Sequence, residues 1–205
     1  MLLNNKTLNN AFIYLSKDEC LKFLIKRFSL DIDIHERYNS NYAEALSFLI
    51  IEQQISFKAA ITIKKRFSEL IKNLSDNEII KLDNKVLQNV GISFRKVEYI
   101  KNVYNYFQKS NFDFKNSSDS DIVKELIKIK GIGLWSSEMF LMFVLMRIDI
   151  FSKGDLALIN SVKINYDIDP KDHKTLNKLI DSWSPYKSVA SLLLWKSIEE
   201  KIFFR

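Results

Sequence analysis

The chain has 205 residues, enough for one domain or two small lobes around a sizeable core. Its single cysteine, Cys20, excludes an internal disulfide, a multi-cysteine zinc site and a four-cysteine iron–sulfur cluster. Four glycines and two prolines are too few for the turns of an all-β protein, and the net charge of +6 suits a polyanionic partner without requiring one.

Apolar residues recur at helical spacing along the chain. This spacing predicts one or two helices over residues 41–65, helical structure over 75–90 that stops at Gly91, and a helix from about Ser93 to Phe107. Residues 111–120 form a polar loop whose Ser and Asp side chains are suitable helix N-caps. We predict no strand pair, and the longest apolar run, residues 139–146, is too short to span a membrane.

The next stretch predicts a helix, a tight turn and a second helix. An amphipathic segment at residues 122–127 precedes the sequence Lys-Gly-Ile-Gly at 130–133, and the almost wholly apolar residues 135–147 follow. The remaining predicted elements are a loop at 149–155, a helix from Leu156 into Pro170, and two helices over 174–200 broken at Pro185.

Three of the four glycines, Gly131, Gly133 and Gly154, fall within 24 residues. In a glycine-poor chain we expect each of them to answer a steric demand. A Gly-Ile-Gly turn ahead of a helix leaves the first amide N–H groups exposed, and without Cβ atoms a phosphate can approach them closely. The turn can therefore hold a DNA backbone. The spacing alone leaves open an ordinary turn in which the glycines are only caps.

Asp155 follows a loop glycine at the predicted start of a helix. Its local sequence fits an N-cap. It also fits a catalytic carboxylate, which would stabilise positive charge on a sugar during glycosidic cleavage and orient an attacking water. Both interpretations stay open at this point.

The tryptophans, Trp135, Trp183 and Trp195, lie in or beside these motifs. Trp183 is expected in the core, whereas Trp135, just after the glycine turn, fits either the core or a stacking surface for an extruded base. The two histidines, His35 and His173, lack metal-ligand spacing and are expected at the surface.

Together these residues resemble the helix-hairpin-helix DNA glycosylase superfamily, of the 3-methyladenine DNA glycosylase II type. Five motifs carry the resemblance, in order, over about residues 15–200. Residues 51–56, I-E-Q-Q-I-S, resemble the family's I-x-G-Q-Q-x-S, and Gly91-Ile-Ser with Lys96 resembles its G-x-S-x-x-K. Residues 126–137 resemble the family's hairpin with the following G-x-G-x-W-T-A. Residues 151–156 resemble F-P-x-G-D-x, and residues 183–195 resemble the closing W-x-P-Y-R-S-x-A…W.

The resemblance implies an all-α fold of two helical lobes, with a helix-hairpin-helix motif and a DNA-binding cleft between the lobes. It implies one glycosylase domain over residues 1–205, without the N-terminal β-rich domain of larger bacterial members. The expected activity is monofunctional: flipping out alkylated purines in base excision repair and hydrolysing the N-glycosidic bond. The expected partner is double-stranded DNA with damaged bases. We expect a monomer with no membrane association, cytoplasmic with the nucleoid in a bacterium or nuclear in a eukaryote.

The resemblance also assigns roles to individual residues. It implies that Asp155 is catalytic, that Trp135, Trp195 and Met139 line a base pocket, and that Gln54 is the DNA wedge. It also implies that the DNA backbone is bound by Gly131, Gly133, Ser136 and Lys130. Strand-cutting relatives place a Schiff-base lysine where this chain has Trp135, so strand cleavage is not expected. No cofactor is expected to be required, and the hairpin backbone is a candidate site for a monovalent cation.

The chain departs from the family pattern at four positions. Glu52 replaces a glycine and places a negative charge near the wedge, Lys130 and Lys153 replace prolines, and Lys187 replaces an arginine. Two alternatives stay open. One is a helix-hairpin-helix DNA-binding protein without catalysis, and the other is a helical protein–protein scaffold in which the glycines are caps and the tryptophans core.

Overall fold

The computed structural model describes residues 2–205. Over these residues the protein is all-α, as predicted, and a single isolated bridge between Leu2 and Arg147 is the only β-type pairing. The helices are α1 (Asn5–Leu15), α2 (Glu19–Phe28), α3 (Tyr42–Glu52), α4 (Phe57–Ile71), α5 (Asp76–Lys81), α6 (Asn84–Asn89), α7 (Phe94–Lys109), α8 (Asp119–Ile127), α9 (Leu134–Met139), α10 (Leu156–Tyr166), α11 (His173–Ser182) and α12 (Lys187–Glu199). None of the described helices is both long and apolar enough to cross a membrane.

The chain folds into two compact units, which confirms the prediction of two helical lobes. The terminal unit contains the residues up to Arg37 together with Leu141–Arg205, and the central unit is Tyr38–Phe140. The expected DNA-binding cleft stays a prediction.

Most of the predicted helices form. Of the one or two helices predicted over residues 41–65, two form, α3 and α4, with a loop at 53–56 between them. Residues 75–90 form two short helices because Leu82 and Asp83 are extended and Asp83 caps α6. Gly91 stops α6 with a φ of +104°, as the sequence predicts. The polar loop supplies the N-cap of α8, where the Ser118 side chain accepts a hydrogen bond from the Asp121 amide.

Two predicted helices are wrong at their C-terminal ends. The helix after the glycine turn ends at Met139 and passes into a π-helical segment, Phe140–Val144, and Met146 then turns the chain with a φ of +55°. The predicted helix from Leu156 to Pro170 ends at Tyr166, because Asp167 adopts a left-handed conformation.

The helices α1 and α2 were not predicted. Each begins with a side-chain cap, from Asn4 in a capping box with Thr7 and from Asp18. Their apolar faces belong to the core of the terminal unit, which also contains Trp183. Trp183 is only 1% exposed, which confirms its expected place in the core. Both histidines are exposed, also as expected.

Candidate functional site

The glycine turn joins α8 to α9 within the central unit. The Ile132 amide donates to the Ile129 carbonyl at 3.0 Å and closes the turn. Gly133 is the N-cap of α9 and offers no capping side chain. The first amides of a helix have no acceptor within the helix, so the start of α9 presents N–H groups to a ligand.

The two hairpin glycines differ in whether the protein's own structure requires glycine at that position. Gly131 has a φ of +105°, and a Cβ there would lie 2.3 Å from Cγ of Tyr99, so the chain itself demands glycine. At Gly133 and at Gly154 a Cβ would meet no atom within 4 Å, and neither has a positive φ. Of these three glycines, only Gly131 is required by contacts within the protein. At Gly133 a side chain could be excluded only by a bound ligand.

The wedge loop, residues 53–56, connects α3 to α4. Gln54 is exposed and has a φ of +55°, a left-handed conformation that disfavours most side chains. Lys96 holds the loop, because its Nζ donates to the carbonyls of Ile51 at 2.9 Å and Gln53 at 2.7 Å. Partial burial lowers the pKa of Lys96.

Gln53 ties the wedge loop to the hairpin. Its Nε2 donates to the Gly131 carbonyl at 3.2 Å and to Oγ of Ser136 at 3.1 Å. Sequence reasoning assigned no role to Gln53, because its partners lie about 80 residues away and no local pattern signals them. A cavity of about 430 Å³ opens beside this contact; it is lined by Gln53, Gln54, Ser93, Arg95, Lys96 and Tyr99.

The residues that depart from the family pattern have polar partners within their own unit. Glu52 forms an ion pair with Lys64, and the two side chains are only 16% and 25% exposed, so the charge of Glu52 is compensated locally. Lys130 lies 2.7 Å from the Glu98 carboxylate, which raises the pKa of Lys130. Lys153 donates to Asn177 at 2.7 Å.

Asp155 is the N-cap of α10, so the capping interpretation is confirmed. Its Oδ1 accepts the Leu158 amide at 2.9 Å and the Trp195 indole Nε1 at 3.1 Å. The side chain is half-buried. A carboxylate oriented by two donors is compatible with a catalytic role, because a cap and a catalytic charge are not mutually exclusive.

The Trp195 indole that donates to Asp155 belongs to an aromatic stack. Trp195 stacks on Phe143, with ring centroids 5.7 Å apart and planes 27° apart. The Arg37 guanidinium lies over the Phe143 ring, 4.3 Å from its centroid. The stack fixes the plane of the indole that donates to Asp155.

Ser188, at the start of α12, anchors the loop that leads to Asp155. Its fully buried hydroxyl donates to the Arg147 carbonyl at 2.7 Å and accepts the Ile150 amide at 3.0 Å. Its own amide donates to the Ile148 carbonyl at 3.0 Å. In the sequence Ser188 is part of the last motif, but no local pattern indicates its contacts with residues 147–150.

The predicted site residues fall into two groups. Asp155 and Trp195 lie in the terminal unit and are in contact, whereas Gln54, the hairpin and Trp135 lie in the central unit. Two predicted residues are buried in the central unit: Ser136, 1% exposed, and Met139, 0% exposed. A place for Met139 in a base pocket would require neighbouring side chains to move, and its role stays a prediction.

The two hairpin glycines give a matched pair of substitutions. Gly131→Ala should lower the free energy of unfolding by about 1–3 kcal/mol or more, through strain and overlap with Tyr99. Gly133→Ala should change the free energy of unfolding by less than about 1 kcal/mol. It should still weaken DNA binding, because a Cβ would obstruct the close approach of a phosphate. The loss should be similar for every duplex, because backbone contacts carry no sequence information. Thermal unfolding and DNA binding over a salt series measure both. Wild-type affinity for Gly133→Ala would contradict the hairpin's role.

Comparisons with known proteins agree with this geometry. A family model described as HhH-GPD superfamily base excision DNA repair protein matches residues 48–185. The chain is 34% identical over 162 residues to YfjP of Bacillus subtilis; the match covers 73% of this chain but only 56% of that protein, so the chain spans about half of that relative. It is 27% identical to the DNA-3-methyladenine glycosylase of Saccharomyces cerevisiae, covering 89% of this chain and 76% of that protein.

A solved structure gives a similar match over almost the whole chain. The Schizosaccharomyces pombe 3-methyladenine DNA glycosylase Mag1, solved in complex with abasic DNA, has a TM-score of 0.79 and 28% identity, covering 93% of this chain and 97% of that one. The family model covers well over half of the present sequence. The resemblance that the five motifs indicate is therefore confirmed, and the chain belongs to the HhH-GPD superfamily of base excision DNA repair proteins.

Proposed function

We propose that the protein is a monofunctional DNA glycosylase of base excision repair that removes alkylated purines of the 3-methyladenine type from double-stranded DNA. The observation that carries the proposal is the half-buried Asp155 carboxylate, oriented by the Leu158 amide and the Trp195 indole. Relatives named DNA-3-methyladenine glycosylase, matched over most of this chain, support the reaction and the substrate class.

Hydrolysis of an alkylated nucleotide needs few catalytic groups. N-alkylation gives the purine a positive charge, so the C1′–N bond is already weak and its electron pair leaves with the base. The enzyme then has to extrude the nucleotide and stabilise the sugar cation until water adds to C1′. Asp155 supplies the negative charge, and a π-face such as that of Trp135 stacks on the cationic base. Each such contact is worth on the order of 0.5–3 kcal/mol.

The central unit provides the proposed grip on DNA. The start of α9, with open space at Gly133, would bind phosphate through backbone amides. The Ser136 hydroxyl accepts a hydrogen bond from Gln53, and in this proposal Ser136 binds phosphate through its backbone amide. The ion pair of Lys130 with Glu98 is exposed and contributes little, so Lys130 could exchange Glu98 for a phosphate. Exposed Gln54 is the proposed wedge.

Asp155→Asn tests the catalytic role without removing the helix cap, because asparagine is an equally good N-cap. We expect base release to be abolished or greatly slowed while binding to abasic-site DNA is nearly unchanged, since the charge is needed in the transition state. Base release from duplex oligonucleotides with single defined lesions is the measurement.

Asp172→Asn is the matched control for this variant, because Asp172 is another N-cap aspartate, at α11 of the same unit. It should leave base release unchanged. Wild-type excision by Asp155→Asn would remove the catalytic assignment and favour a DNA-binding protein without catalysis. No salt-sensitive DNA binding at all would favour the protein–protein scaffold.

Trp135→Ala tests the stacking surface. We expect it to reduce excision of methylated purines more than it reduces nonspecific DNA affinity, because stacking acts only on the extruded base. The melting temperature is measured in parallel. A loss of activity that only follows a loss of stability would assign Trp135 to the core.

Borohydride trapping tests whether the enzyme is monofunctional. Strand cleavage needs an unprotonated amine to attack C1′, and Trp135 has none. Lys130 and Lys153 are the candidate substitutes, but Lys130 has a raised pKa beside Glu98 and Lys153 is hydrogen-bonded to Asn177. We expect no covalent complex on lesion DNA. A complex that is lost on Lys130→Ala or Lys153→Ala would overturn this.

A further inference from the structure

Three polar side chains lie fully buried in the terminal unit where α10 packs against α12. Ser161 and Asn165 belong to α10, and Ser197 belongs to α12. The Ser161 and Ser197 hydroxyl oxygens are 2.7 Å apart, and Nδ2 of Asn165 lies 3.0 Å from Oγ of Ser197. Ser161 also donates to the Leu194 carbonyl of α12 at 2.8 Å. We call these three residues the polar cluster.

Hydrogen bonds within the terminal unit satisfy the polar cluster. Nδ2 of Asn165 has acceptors on Ser161 and Ser197, and its Oδ1 accepts the Phe204 backbone amide at 2.8 Å. The cluster therefore also fixes the segment that follows α12. A fully satisfied buried network tolerates little displacement of its members.

The polar cluster lies on the same two helices as the Asp155 carboxylate and its indole donor. Asp155 is the N-cap of α10, six residues before Ser161, and Trp195 is two residues before Ser197. Apolar packing is non-directional and permits neighbouring registers, whereas hydrogen bonds fail when the helices slide by one residue, about 1.5 Å. Such a slide would also break the 3.1 Å contact between Trp195 and Asp155.

We propose that the polar cluster is a positioning device: it sets the register of α10 on α12 and so holds Asp155 against Trp195. The proposal deepens the proposed function and rests on it for the effect on rate. Replacing the buried side chains of a polar network with apolar groups of similar size is often neutral or stabilising, and the Phe204 amide, which loses its Asn165 acceptor, belongs to an exposed residue that water can reach. Positioning can therefore be separated from stability.

The test is the triple variant Ser161→Ala, Asn165→Leu, Ser197→Ala. The first measurement is the indole N–H resonance of Trp195 in ¹⁵N-labelled protein, assigned with Trp195→Phe. Trp183 is the internal reference, because its indole donates to Asp18 in the same unit and not to this cluster. Ser191→Ala is the control, since Ser191 is a buried α12 serine whose hydroxyl donates to Lys187 of its own helix.

We expect the triple variant to unfold within a few degrees of the wild type, with the Trp195 resonance shifted or exchanging faster and that of Trp183 unmoved. Its single-turnover rate of base release should fall on the order of 10-fold or more with little change in DNA affinity. Ser191→Ala should match the wild type in both.

Two results would overturn the proposal: an unchanged Trp195 resonance with an unchanged rate, or equal changes at Trp195 and Trp183, which would mean general loosening. If the triple variant does not fold, the single variant Ser161→Ala is judged by the same criteria. If the wild type releases no base, the proposed function fails, and the indole resonance alone still decides the positioning claim.

Discussion

One oxygen of the Asp155 carboxylate accepts both the Leu158 amide, in the first turn of α10, and the Trp195 indole N–H. A half-buried carboxylate has lost part of its hydration, and hydrogen-bond donors compensate that loss. The backbone of α10 and the indole on α12 supply these donors, and Ser188 holds the loop that leads to Asp155. The two donors thus fix the orientation of the carboxylate, as its proposed role in stabilising a cationic transition state requires.

The central unit solves a different problem, that of keeping a strained loop in place. Gln54 has an unfavourable left-handed backbone, and the surrounding structure has to over-determine it. The Lys96 ammonium binds two carbonyls on one side, and Gln53 reaches the hairpin on the other. Loops are often held by rigid helices, but here the wedge loop and the glycine turn are held by the same side chain, Gln53.

The sequence predicted features that local chemistry determines. Caps, turn glycines and helical spacing predicted the hairpin, an N-cap from the polar loop at 111–120, the stop at Gly91 and Asp155 at a helix start. It did not predict α1 and α2, whose stability comes from packing on distant helices, nor the π-helical segment after Met139. The contacts of Gln53 and Ser188 span 38 or more residues, so they exist only once the chain is folded.

The Glu52–Lys64 pair shows why a departure from a family pattern cannot be interpreted one position at a time. Both side chains are largely withdrawn from water, so removing either would take away the opposite charge that compensates the other. A chain with glycine at position 52 has no need of a cation at 64. The two positions are therefore expected to change together among related chains. In this chain the carboxylate at position 52 and the ammonium twelve residues later therefore act electrostatically as one unit.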